Sequence, residues 1–122
     1  MKLFAEIYKS KLTDTYFLIA KRKINNLISL EISNFVLEKL LNPAKTICIE
    51  SLYKTMVNYQ DFDKSPFGVL RSSAVSDKEV EGISTGDLRY TSGIGSLCSA
   101  FLSVSEMQNL KCILYVNVID QY

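Results

Sequence analysis

The apolar residues of this chain change their spacing along its length, and that change limits what it can fold into. Residues 3–9 and 15–23 are rich in β-branched and aromatic side chains. Lys11-Leu12-Thr13-Asp14 supplies turn chemistry between them, so the opening predicts a hairpin. Asn25-Asn26 marks another turn, because asparagine tolerates left-handed backbone angles. Ile28, Leu30 and Ile32 then alternate with Ser29, Glu31 and Ser33, the period of a half-buried strand. From Asn34 the period lengthens. Phe35, Val36, Leu40 and Leu41 follow helical spacing, with Ser33 or Asn34 placed to cap the first turn and Asn42-Pro43 to stop the helix. Ile49, Leu52, Tyr53, Met56 and Val57 make a second helical stripe, predicting a helix over residues 50–59.

The remainder is more polar. Residues 61–68 read as a loop, with short strands expected near 69–75 and 87–90. Residues 97–104 fit a strand and a helix almost equally, and their serines tilt the reading to a strand. Residues 111–119 read as the last strand. The expected class is α+β: an N-terminal antiparallel three-stranded meander, two central helices, and C-terminal strands joining or extending the sheet. At 122 residues there is room for one such domain spanning the chain.

Several chemistries are set aside by residue type. The chain has no histidine, which removes the commonest general base, Ser-His and Cys-His nucleophile pairs, and the usual zinc ligand sets. Cys48, Cys98 and Cys112 lack C-x-x-C spacing and read as buried thiols of an intracellular protein. Asp61-x-Asp63 pairs two carboxylates but lacks the further ligands of a calcium loop, so no metal is expected. Asp77, Glu79, Glu81 and Asp87 read as a solvated face rather than an acid–base pair. No cofactor and no catalytic residue are expected. A net charge of +1 offers no general attraction to nucleic acid, and no apolar run is long enough for a membrane helix, so a cytoplasmic protein is expected.

The segment Gly86-Asp87-Leu88-Arg89-Tyr90-Thr91-Ser92-Gly93-Ile94-Gly95-Ser96 carries the most binding chemistry. Glycines let a backbone approach a ligand, and hydroxyls and an arginine fork suit phosphate oxygens. It matches neither a dinucleotide fingerprint nor a Walker loop. Arginine is scarce here, with Arg22, Arg71 and Arg89 against eleven lysines, which favours geometric roles for it. Ser72 follows Arg71; Tyr90, Thr91 and Ser92 follow Arg89; Phe62 and Phe67 precede both and are able to stack on a flat base. These eight residues are the candidate ligand site, for a nucleotide bearing phosphates.

The chain resembles the Thoeris anti-defence sponges, phage proteins that bind cyclic ADP-ribose isomers. The resemblance rests on its length, the opening Lys2-Leu3-Phe4-Ala5-Glu6-Ile7-Tyr8, the α+β order, and the arginines ahead of the C-terminal strands. It implies a non-enzymatic homo-oligomer, a dimer or larger, that sequesters a nucleotide signal in the host bacterial cytoplasm. Arg71 and Arg89 would then meet the pyrophosphate, and Phe62 or Tyr90 would stack on adenine. A viral inhibitor that binds a host protein directly, as anti-CRISPR proteins do, is the competing expectation, with the tyrosines and phenylalanines as anchors. A self-associating structural protein is a third.

Overall fold

The computed structural model describes residues 5–20, 24–53, 67–80, 86–87 and 97–119. Strands β1 (Ala5–Lys9) and β2 (Tyr16–Ala20) form the expected antiparallel hairpin, with Ala5 opposite Ala20 and Lys9 opposite Tyr16. The Lys9 ammonium lies 5.6 Å from the centre of the Tyr16 ring, a cation–π contact at the turn end of the hairpin.

The third meander strand does not exist. Residues 28–33 lie inside helix α1 (Asn26–Phe35), which continues through a wider π-type turn, Val36–Leu40. Asn25 starts the helix by accepting the Ile28 amide on Oδ1 at 2.9 Å. Asn42, at φ 43, lies in the left-handed region just past its end. The alternation was a coincidence of two periods, and the side facing the core mixes serines with the half-buried Ile28 and Ile32. Ser29 and Ser33 are buried, and their hydroxyls donate back to the carbonyls of Ile24 (3.4 Å) and Ser29 (2.7 Å). Serines this small let α1 lie close to α2 (Leu97–Met107).

That second helix occupies the residues for which a strand was favoured. Leu97, Ala100, Phe101 and Val104 form its buried stripe, and Asn109, at φ 57, closes it with the Leu110 amide donating to the Ser105 carbonyl at 2.8 Å. The helix expected over 50–59 is also corrected. Its first residues belong to strand β3 (Thr46–Tyr53), and 54–59 lie outside the described residues. Pairing along β6 (Cys112–Ile119) overrides the helical stripe there, as tertiary context does for short apolar runs.

The main sheet has the order β3-β6-β4-β5, with β4 at Phe67–Arg71 and β5 at Gly86–Asp87. β3 runs parallel to β6 and β4 antiparallel to it, while β4 and β5 are parallel. The α+β class holds, but the sheet is mixed and the hairpin stands apart from it. The strand expected over 111–119 is β6, an interior strand of the sheet between β3 and β4. Cys112, Leu114, Val116 and Val118 line its buried face, packed with Ile24, Val36, Leu37, Cys48, Leu97, Phe101 and Val104. No helix among the described residues is long and apolar enough to cross a membrane.

Candidate functional site

The residues proposed from sequence divide into two groups. Arg71, Ser72 and Phe67 are described, whereas Phe62, Arg89, Tyr90, Thr91 and Ser92 lie outside the described residues. Phe67 and Arg71 share one face of β4, at its two ends, and both are exposed. Ser72 faces the other way. It is buried, its hydroxyl donates to the Leu110 carbonyl at 2.6 Å, and the same oxygen accepts the Cys112 amide at 3.0 Å. Its hydroxyl therefore ties the end of β4 to the start of β6.

Around it the polar stretch is occupied by its own hydrogen bonds. Arg71 pairs with Asp77. The Ser73 amide and hydroxyl donate to Glu106 of α2 at 2.7 and 2.5 Å. Glu79 accepts the Ser76 amide at 2.8 Å and the Lys111 ammonium at 2.9 Å. These bonds, the Ser76 amide first and Lys111 next, hold the Glu79 carboxyl down at about 2. Glu106 is likewise lowered by Ser73. Such carboxylates are ionised anchors and not proton donors at neutral pH. The Cys48 thiol, pushed up by hydrogen bonding with Cys112 and Cys98 and by burial, stays protonated. Among the described residues no group of three or more side chains is placed to hold a metal ion.

The largest departure from an ordinary globular surface lies on α1 and the hairpin. Because α1 buries its serines, it turns apolar side chains outward: Leu27 is 75% exposed and Phe35 53%, with Leu30 and Leu40 also open. Beside them runs a groove of about 450 Å³ lined by Ala5, Ile7 and Leu18 of the hairpin and by Ile32, Phe35 and Val36 of the helix region. Glu31 is the one charged side chain in its lining. The far face of the hairpin carries Tyr8 opposite Phe17, with Ile19 beside them, again exposed. A two-stranded ribbon has no stable core of its own and leans on whatever it packs against. Exposed apolar groups spread singly need no explanation, whereas Phe35 and Leu40 are exposed and also line one apolar groove with Ile7. Polar ligand chemistry in the sequence does not mark such a surface. The one visible signal was serine recurring every four residues opposite the leucines of α1.

No protein-family model matches the chain, and no curated protein matches it. Its fold is similar to solved structures. A protein with unknown function from Thermoplasma acidophilum superposes with a TM-score of 0.70 at 11% identity, over 98% of this chain and 47% of that one. Pyrococcus furiosus PbaA, an archaeal homologue of proteasome-assembly chaperone, superposes with a TM-score of 0.67 at 19% identity, over 97% of this chain and 48% of that one. These superpositions show a shared fold. This chain spans about half the length of both neighbours.

Proposed function

We propose that this chain is a non-enzymatic, cytoplasmic protein-binding module that helps a multi-subunit complex assemble, a role prompted by its fold likeness to PbaA, an archaeal homologue of proteasome-assembly chaperone. The observation that carries the reading is helix α1, which buries Ser29 and Ser33 and presents Leu27, Leu30 and Phe35 beside an apolar groove. Leaving such side chains in water is unfavourable by roughly 1.5–3 kcal/mol each relative to burial, so a surface of this kind fits a protein with a partner. The fold likeness to PbaA names the kind of partner to try first.

The test is association with purified proteasome subunits, followed by size-exclusion chromatography. A stoichiometric complex is expected. Phe35→Glu places a charge in the middle of the surface and should weaken the complex by about 2 kcal/mol or more, roughly thirtyfold in Kd. Its melting temperature should stay near that of the parent, because Phe35 is largely exposed. Failure to bind any proteasome subunit, together with release of a compound absorbing near 260 nm on heating, would overturn this reading. That outcome favours instead the sequestration of a phosphorylated nucleotide at Arg71, Arg89 and their neighbours.

A further inference from the structure

The three thiols of the chain, far apart in sequence, meet in one place. Cys48 of β3 and Cys112 of β6 belong to the core cluster, and Cys98, in the first turn of α2, packs against it. The Cys98 thiol also reaches the main chain of β3, 3.9 Å from the carbonyl of Ile49, the residue next to Cys48. Cys48 stands in the middle. Its thiol is hydrogen-bonded to those of Cys112 and Cys98, and these contacts together with burial hold it protonated. All three are free thiols. A single buried cysteine serves as a small hydrophobe, but two thiols in contact have a chemistry that valine lacks: they join by losing two hydrogen atoms.

The fold decides which pair. The partner of Cys112 in the parallel ladder is Thr46, so Cys48 lies one diagonal away. A strand spacing of about 4.8 Å and two rises of about 3.3 Å put their Cα atoms roughly 8 Å apart, beyond the roughly 7 Å that a disulfide spans. Cys98 approaches Cys48 from α2, across the layers and not along the sheet, and escapes that restriction. Access points the same way. Cys112 is 0% exposed and Cys48 7%, whereas Cys98 is half-buried. The Cys112 thiol is lowered, chiefly by its hydrogen bond with Cys48, yet an acidic thiol sealed from solvent meets no oxidant. Hydrogen peroxide is scarcely larger than water, so a half-buried thiol suffices for it.

We propose that peroxide joins Cys98 and Cys48 in a reversible disulfide that locks α2 onto β3. The Cys98 sulfur attacks one peroxide oxygen, the O–O bond breaks, and the departing hydroxide takes the Cys98 proton as water, leaving a sulfenic acid. The Cys48 sulfur then attacks the Cys98 sulfur. The S–O bond breaks, and the hydroxide leaves with the Cys48 proton as a second water. Two thiols give up two electrons, and one peroxide becomes two waters. A dithiol reverses the bond by exchange. The bond closes a loop of about fifty residues, which restricts the unfolded chain. This chemistry does not use the α1 surface and does not depend on the assembly role.

Peptide mapping after treatment with hydrogen peroxide tests it, with remaining thiols blocked by N-ethylmaleimide. Trypsin, cutting after Lys45, Lys54, Arg89 and Lys111, puts the three cysteines on three different peptides. The folded chain should lose two hydrogen atoms in mass, keep one blockable thiol at Cys112, and yield the Cys48 and Cys98 peptides linked. In urea the shorter loop between Cys98 and Cys112 should be favoured instead, since loop closure then decides. The linked chain should unfold at a urea concentration higher by about 1 M or more, a gain that dithiothreitol removes. Cys98→Ser, a change at a half-buried site, should lose both the link and the gain. A link between Cys48 and Cys112, links only between chains, Cys98 carried to sulfinic acid without a link, the same link equally frequent in urea, or a linked chain with an unmoved midpoint overturns the proposal.

Discussion

Ser72 illustrates how little a hydroxyl discloses by its position in a sequence. Beside Arg71 it looked like a phosphate ligand, yet it is buried and holds Leu110 and Cys112. Its partners lie far along the chain, and no local pattern announces them. Ser72→Ala should therefore cost about 1–3 kcal/mol of stability, the penalty for stranding buried polar groups, as read by urea denaturation. A residue serving only a ligand would leave the denaturation midpoint unmoved. Glu79 makes a second residue-scale prediction. Its folded carboxyl titrates at about 2, against an ordinary value of 4.5. A lowered carboxylate contributes stability that is fully present above the unfolded value and lost as pH falls toward the folded one. The parent should thus be more stable than Glu79→Gln at neutral pH, and the gap between their melting temperatures should close between about pH 4.5 and pH 2. A gap that persists at pH 2 would show that the Ser76 and Lys111 bonds are not its source.

At the scale of elements, the legible parts were those whose pattern and pairing agree. The hairpin and β6 fall within the predicted ranges because alternation, turn residues and partner strands all point the same way. Helix α1 was misread because Ile28, Leu30 and Ile32 satisfy a period of two, while Ser29 and Ser33 satisfy a period of four. Choosing between them required knowing that Ser29 and Ser33 are the residues of the helix buried most deeply. Asn25 was the better clue, being read as a turn when it is a cap. Asn25→Ala should lower stability by about 1 kcal/mol in thermal or chemical denaturation, while Asn25→Asp should be nearly neutral, since either side chain accepts the Ile28 amide. The residues 97–104 carried both periods, and the left-handed Asn109 just beyond them closes a helix. β3 was lost to a helical stripe because its reason for being a strand is β6.

For the molecule as a whole, the α+β class was readable from composition and period, but the sheet order was not. The order β3-β6-β4-β5 places the last described strand between two earlier ones, and nothing local encodes such an insertion. The candidate site was legible only as scattered chemistry. Arg71 and Phe67 do share a face, whereas the apolar surface on α1 became visible only once the inward side of that helix was known. The central place of β6 also bears on how the chain acquires its structure in time. Thr46 finds its neighbour in Cys112, and Arg71 in Ile113, so closing the sheet means spanning long stretches of intervening chain before any ladder forms. Folding is then slow for its size, and on the ribosome the sheet cannot close until β6 has emerged. Until that moment β3 has no neighbour among the described strands, and the backbone groups it will give to β6 are left to water.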